Sequence, residues 1–98
     1  MKIFISQPMV DKTDEQIEQE RNEAIQKLQD KYGDIQILDS LFDFEAGTHP
    51  LVFLGNSIIV LAQADLAYFM KGWNQYRGCV TEYECATRYG IKVEEEVK

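Results

Sequence analysis

A small doubly wound α/β sandwich, three layers deep with a parallel four-stranded sheet and roughly three helices, is the fold class this sequence predicts. Three observations predict it. Short apolar runs of strand length alternate with longer stretches of helical periodicity along the whole chain, an order that calls for parallel strands joined by crossover helices on both faces. No internal repeat and no low-complexity linker interrupts that order. At 98 residues there is chain enough for one core and not for two.

The first strand covers 2–6, where Ile3, Phe4 and Ile5 form a buried run that stops at Gln7 and Pro8, because proline removes a ladder donor. A helix follows. Thr13 and Gln16 have the spacing of a capping box, Asp14 and Glu15 suit the first turn, and Ile17, Ala24, Ile25, Leu28 and Tyr32 repeat at helical spacing until Gly33 ends it. Glu23 and Lys27 are placed to pair on its solvent side. Arg21 lies beside the apolar stripe and is read as a structural cation whose stem covers the stripe.

The second strand is 35–38. After an irregular connection, Thr48 or His49 caps a helix with Pro50 in its first turn, running to about residue 63. Leu51, Val52, Phe53, Leu54, Ile58, Ile59, Val60 and Leu61 leave that helix only a narrow polar edge, so it needs cover on more than one side. The sheet supplies one cover. A second copy of the chain is the expected other, making a homo-oligomer through helix 51–63. The third strand is 65–70, the last is 91–93, and the acidic tail 94–98 is expected to be a frayed end beyond a single domain of 1–93.

The third helix, expected over 79–90, brings Cys79, Glu82, Tyr83, Ala86, Tyr89 and Gly90 onto one face. Glu84 points the other way, toward Arg88. Glu82 is thus an acid on an inward stripe. The positive end of the helix favours its ionised form and burial opposes it. An ionised, poorly solvated carboxylate at a strand-to-helix junction is a candidate nucleophile, and a local cap or ion pair is the other reading of the same spacing. Parallel sheets bind ligands beyond the carboxyl ends of their strands, where the winding reverses. That edge gathers Ser6, Gln7, Pro8 and Met9, the segment after Leu38, and a loop containing Gly72, Trp73, Tyr76, Arg77 and Gly78, all around Glu82. Trp73 and Tyr76 either stack on a base or pack the loop against the sheet.

A net charge of −7 argues against a nucleic-acid backbone or an anionic membrane as partner and favours a small ligand. No apolar run approaches the roughly 20 residues that cross a bilayer, and no charged-then-apolar leader opens the chain, so a cytoplasmic location is expected. Cys79 and Cys85 lie six apart on one helix, a rise of about 9 Å that forbids a bridge, and are expected as free thiols. With His49 the one histidine and no clustered cysteines, neither a metal nor another cofactor is expected. Cys79 at a helix start is a further nucleophile candidate, disfavoured because His49 is remote in sequence.

The run Phe4-Ile5-Ser6-Gln7-Pro8-Met9, Ala64-Asp65 opening the third strand, Gly72-Trp73, and the spacing of Gly78, Glu82, Ala86 and Gly90 together resemble the DUF4406 group of the nucleoside 2-deoxyribosyltransferase-like superfamily. The resemblance spans nearly the whole chain. It implies a flavodoxin-like sheet, oligomers whose neighbours complete each other's pockets, and a glutamate at the Glu82 position that attacks the anomeric carbon of a nucleoside or nucleotide, releases the base, and passes the sugar to another base or to water. On that reading Arg77, Ser6 and the amides at the helix start hold a 5′-phosphate, the alternative for Arg77 being a solvated loop charge. Phe4 stands where the superfamily often carries a tyrosine that bonds the glutamate, Gln7 where glycine is usual, and Tyr76 where serine is common. Lys71 and Gly72 stand where transferases tend to carry an aspartate, which leaves Asp39 or Asp43 to protonate a leaving base or orient the sugar. A binding protein that has kept the pocket and lost turnover is the competing expectation.

Overall fold

The computed structural model describes residues 1–39 and 46–96. Strands β1 (Lys2–Ser6), β2 (Gln36–Ile37), β3 (Leu66–Phe69) and β4 (Lys92–Glu95) form one sheet in the order β2-β1-β3-β4, with every neighbouring pair parallel. Three α-helices connect them: α1 (Asp14–Tyr32), α2 (Pro50–Leu61) and α3 (Arg77–Arg88). A single 3-10 turn, Trp73–Gln75, precedes α3.

The pleat decides the layers. Ile3, Ile5, Leu66, Tyr68 and Met70 point to one side and pack on Ala24 and Leu28 of α1. Phe4, Ala67 and Phe69 point to the other and meet Leu61 of α2 and Ala86 of α3. Both central strands are therefore buried on both faces, which is why they read as continuous apolar runs. The chain winds from β1 to β2, then back across β1 to β3 and β4, so the reversal lies between β1 and β3. This is the doubly wound, flavodoxin-like sandwich expected from the sequence.

Local signals set the helix ends. The Thr13 hydroxyl accepts from the Gln16 amide at 3.1 Å, and the Gln16 side chain accepts from the Thr13 amide at 2.9 Å. Gly33, at φ 77°, takes a left-handed turn that a Cβ would disfavour and returns its N–H to Gln29. Thr13→Ala removes one arm of the box and is expected to lower stability by about 1 kcal/mol in urea titration, with the slope unchanged; no shift in midpoint would remove the cap from the stability of α1. Of the two cap candidates for α2, His49 serves: its Nδ1 accepts from Leu51 N at 3.1 Å.

Several expectations are corrected. β2 has only two residues in the ladder, continued by one bond from Leu38 N to Ile3 O. Helix α3 starts two residues earlier than expected and ends at Arg88, so Tyr89 leaves the inward stripe and is 83% exposed. Of the acidic tail, residues 94–96 are not frayed, since Glu94 and Glu95 extend β4, and 97–98 lie outside the described residues. Each glutamate there finds a donor. Lys31 and the Tyr32 hydroxyl serve Glu94, Trp73 Nε1 serves Glu95, and Lys71 N and Lys27 serve Glu96. Lys27 thus reaches across to Glu96 rather than back to Glu23. Among the described residues no helix is long and apolar enough to cross a membrane.

Candidate functional site

A cavity of about 340 Å³ opens at the carboxyl end of β1, the strand beside which the winding reverses. The end of β1 and the segment after it supply Ser6, Gln7, Pro8 and Met9; the start of α3 supplies Tyr76, Arg77, Gly78 and Glu82. These eight are the sequence-predicted residues that the fold brings together. Its third wall is α2, through Phe53, Leu54 and Ser57.

Glu82 is 8% exposed, on the buried face of α3 with Cys79 and Ala86. The Ser6 hydroxyl, at the end of β1 and 76 residues away in sequence, donates to its Oε1 at 2.6 Å. Burial pushes the Glu82 carboxyl above its ordinary value, and hydroxyl donors from Ser6 and Ser57 oppose that rise without cancelling it. Of the two influences weighed on the sequence, helix field and burial, burial prevails. Glu82 lies in the second turn, and the field of a helix end fades within the first. Three elements therefore converge on one carboxylate: β1 through Ser6, α2 through Ser57, and α3, which carries it.

Across the end of β1 the chemistry reverses. Ser6 points to the α3 side and Gln7 to the α1 side, where its Nε2 donates to Ile17 O at 2.7 Å and its Oε1 accepts from Arg21 Nη1 at 3.4 Å. Arg21 is only 9% exposed and lines the cavity. This corrects the expectation of a snorkelling surface cation: the stripe position turns the guanidinium under the end of β1 instead of outward. Burial lowers its proton affinity and the field of Asp39 offsets part of that, though an arginine stays charged at physiological pH regardless.

Other expected site residues lie elsewhere. Trp73 packs the loop, stacked on Tyr83 at 4.4 Å and tilted against Phe69 at 5.4 Å, and Gly72 holds the left-handed turn ahead of it at φ 88°. Neither lines the cavity. Asp39 is exposed and outside the lining, within electrostatic reach of Arg21. Asp43 lies outside the described residues. Cys79 does line the cavity, but burial raises its thiol, a hydrogen bond with Ser6 opposes that without cancelling it, and the Glu82 charge adds to the rise, the reverse of what a thiolate nucleophile needs. Both cysteines are free thiols.

Sequence reasoning missed Arg21 and Ser57. A signal existed for each: Arg21 interrupts the stripe of Ile17, Ala24 and Leu28, and Ser57 interrupts the line from Leu54 to Leu61. A polar residue at an inward position marks where a helix faces something other than core. The chain matches no family model, no curated protein and no solved structure.

Proposed function

We propose that the protein cleaves the N-glycosidic bond of a nucleoside or nucleotide by a retaining displacement in which Glu82 is the nucleophile. One observation carries the reading: a buried carboxylate, oriented by two hydroxyls, faces a ligand-sized cavity at the switch point of a parallel sheet. In the first step a Glu82 oxygen forms a bond to the anomeric carbon as the carbon–nitrogen bond breaks, and the bonding pair leaves with the base, which takes its proton from water. In the second, water or another base displaces Glu82 from the same carbon and restores the configuration; Glu82 leaves as the carboxylate, and the attacking group gives up its proton to water. Ser6 assumes the orienting bond that Phe4, without a hydroxyl, cannot make.

A second reading, a nucleotide-binding protein without turnover, has one observation in its favour. Among the described residues Glu82 is the only carboxylate lining the cavity, whereas glycoside cleavage ordinarily uses a pair. Incubation with a panel of nucleosides and 5′-monophosphates, with and without acceptor bases, separates the two by chromatography of free base. Base release supports the enzyme. Ligand-induced melting shifts with no base released from any member would leave the binder.

The other face of α2 bears on assembly. Leu51, Val52 and Ile59 are 67%, 45% and 65% exposed on a helix whose inner residues line the cavity. The proposed cover is α2 of a second copy, forming a homodimer. Leu51→Ser with Ile59→Ser is expected to weaken that dimer by roughly 10-fold or more, read as a shift toward monomer mass in light scattering. A wild-type chain that stays monomeric at high concentration would sink this part of the reading.

A further inference from the structure

Two charged side chains face one cavity from opposite layers of the sandwich. Strand periodicity sends Ser6 to the α3 side and Gln7 to the α1 side, and these neighbours hold Glu82 and Arg21 respectively. Arg21 donates to Gln7 and lies in the field of Asp39, whereas Glu82 accepts from Ser6. The cavity therefore has two poles, with the end of β1 between them.

From this geometry we infer that Arg21, held by Gln7, is the anion pole of the cavity, and that the ligand is a phosphomonoester whose phosphate sits on the α1 side while its sugar faces Glu82. Charge distribution supports this. The chain carries −7 overall, with seven lysines and three arginines. Among the described lining residues none is a lysine and two, Arg21 and Arg77, are arginines. Arginine in place of lysine is the choice for planar, two-point recognition of phosphate oxygens. Its five N–H donors let it hold protein acceptors and a ligand together. Burial also matters: Arg21 is nine-tenths covered and Arg77 is exposed at the rim, so an ion pair at Arg21 is less screened by solvent. A cavity of about 340 Å³ is near the lower bound of ligand pockets and suits a mononucleotide, not a dinucleotide.

The inference rests on the proposed function for the sugar and base, and on the two-pole geometry alone for the phosphate, so its test separates them. Calorimetric affinities are compared for nucleosides, their 5′-monophosphates, ribose 5-phosphate and inorganic phosphate, on wild type, Arg21→Met, Arg21→Lys and Arg77→Ala, each first shown to melt cooperatively. Wild type is expected to prefer a monophosphate to its nucleoside by roughly 30-fold or more, a preference that falls to within about threefold in Arg21→Met. Arg77→Ala is expected to retain most of it. Should Arg21→Met not fold, Arg21→Lys, which keeps the charge and loses the fork, is expected to lose part of the preference. A base-free phosphate that binds wild type and not Arg21→Met supports the anion pole even if no base is ever released, in which case only the cleavage reading fails. Equal affinity of wild type for nucleoside and monophosphate, a preference untouched by both Arg21 variants, or no binding of any of these probes would overturn it.

Discussion

Glu82→Gln is expected to reduce base release by roughly 1,000-fold or more, because an amide oxygen cannot form the glycosyl intermediate while the rest of the cavity stays in place. The substitution is nearly isosteric, and the amide oxygen can still accept from Ser6, so ligand affinity is expected to change little. Loss of kcat with KM nearly constant is the signature sought. A pH profile adds an independent check. The nucleophile must be ionised, and burial holds its pKa above the ordinary 4.5, so kcat/KM is expected to fall as pH drops through a value above that of a free glutamate. A variant that releases base at a rate close to wild type would end the proposal that Glu82 is the nucleophile.

The same carboxylate makes a stability prediction of the opposite sign. Its folded pKa is raised, so the folded protein binds this proton more tightly than the unfolded chain does. Its favourable contribution is full below the unfolded pKa of 4.5 and is lost as pH rises through the higher folded value. At neutral pH the buried ionised form is thus a burden on the fold, and Glu82→Gln is expected to be more stable than wild type there by about 1 kcal/mol. Near pH 4 the advantage should vanish. The chain has 17 acidic residues, so the difference between variant and wild type across pH, not either curve alone, reports Glu82.

What could be read from the sequence follows from how local each cause is. The capping box of α1 has its donor and acceptor three residues apart, so Thr13 and Gln16 announce it unaided. The inward turn of Glu82 is equally legible, since helical spacing from Cys79 to Ala86 fixes the face it shares. What the face meets is not legible. Ser6 comes from the other end of the chain, and Ser57 from a helix whose orientation depends on the sheet between them. Arg21 shows the same limit: its stripe position indicates that it points inward, but only the placement of Gln7 shows that inward means the ligand cavity. The acidic end was misjudged because composition treats a run of glutamates as solvated, whereas Lys31, Tyr32, Trp73 and Lys27 each contribute a donor from elsewhere in the fold.

Phe69→Ala is expected to cost about 3–5 kcal/mol, a large share of the roughly 5–15 kcal/mol that holds a domain folded. Phe69 is fully buried in the central strand β3, and its ring meets Tyr83 edge-on at 5.1 Å and Trp73 at 5.4 Å. Those two aromatics stack on each other and hold the loop that leads into α3, the helix that carries Arg77 and Glu82. The cavity left by the ring thus undermines the site as well as the core. Leu28→Ala supplies the comparison, since Leu28 is as buried but projects from α1 onto the other face of the sheet. It is expected to cost about 2–5 kcal/mol and, below its melting temperature, to leave ligand affinity close to wild type. Urea midpoints measure the first effect and calorimetric binding at low temperature the second. If both variants bind ligand equally well, the aromatic stack serves the core alone and the support of α3 must come from its contacts with α2 and β4.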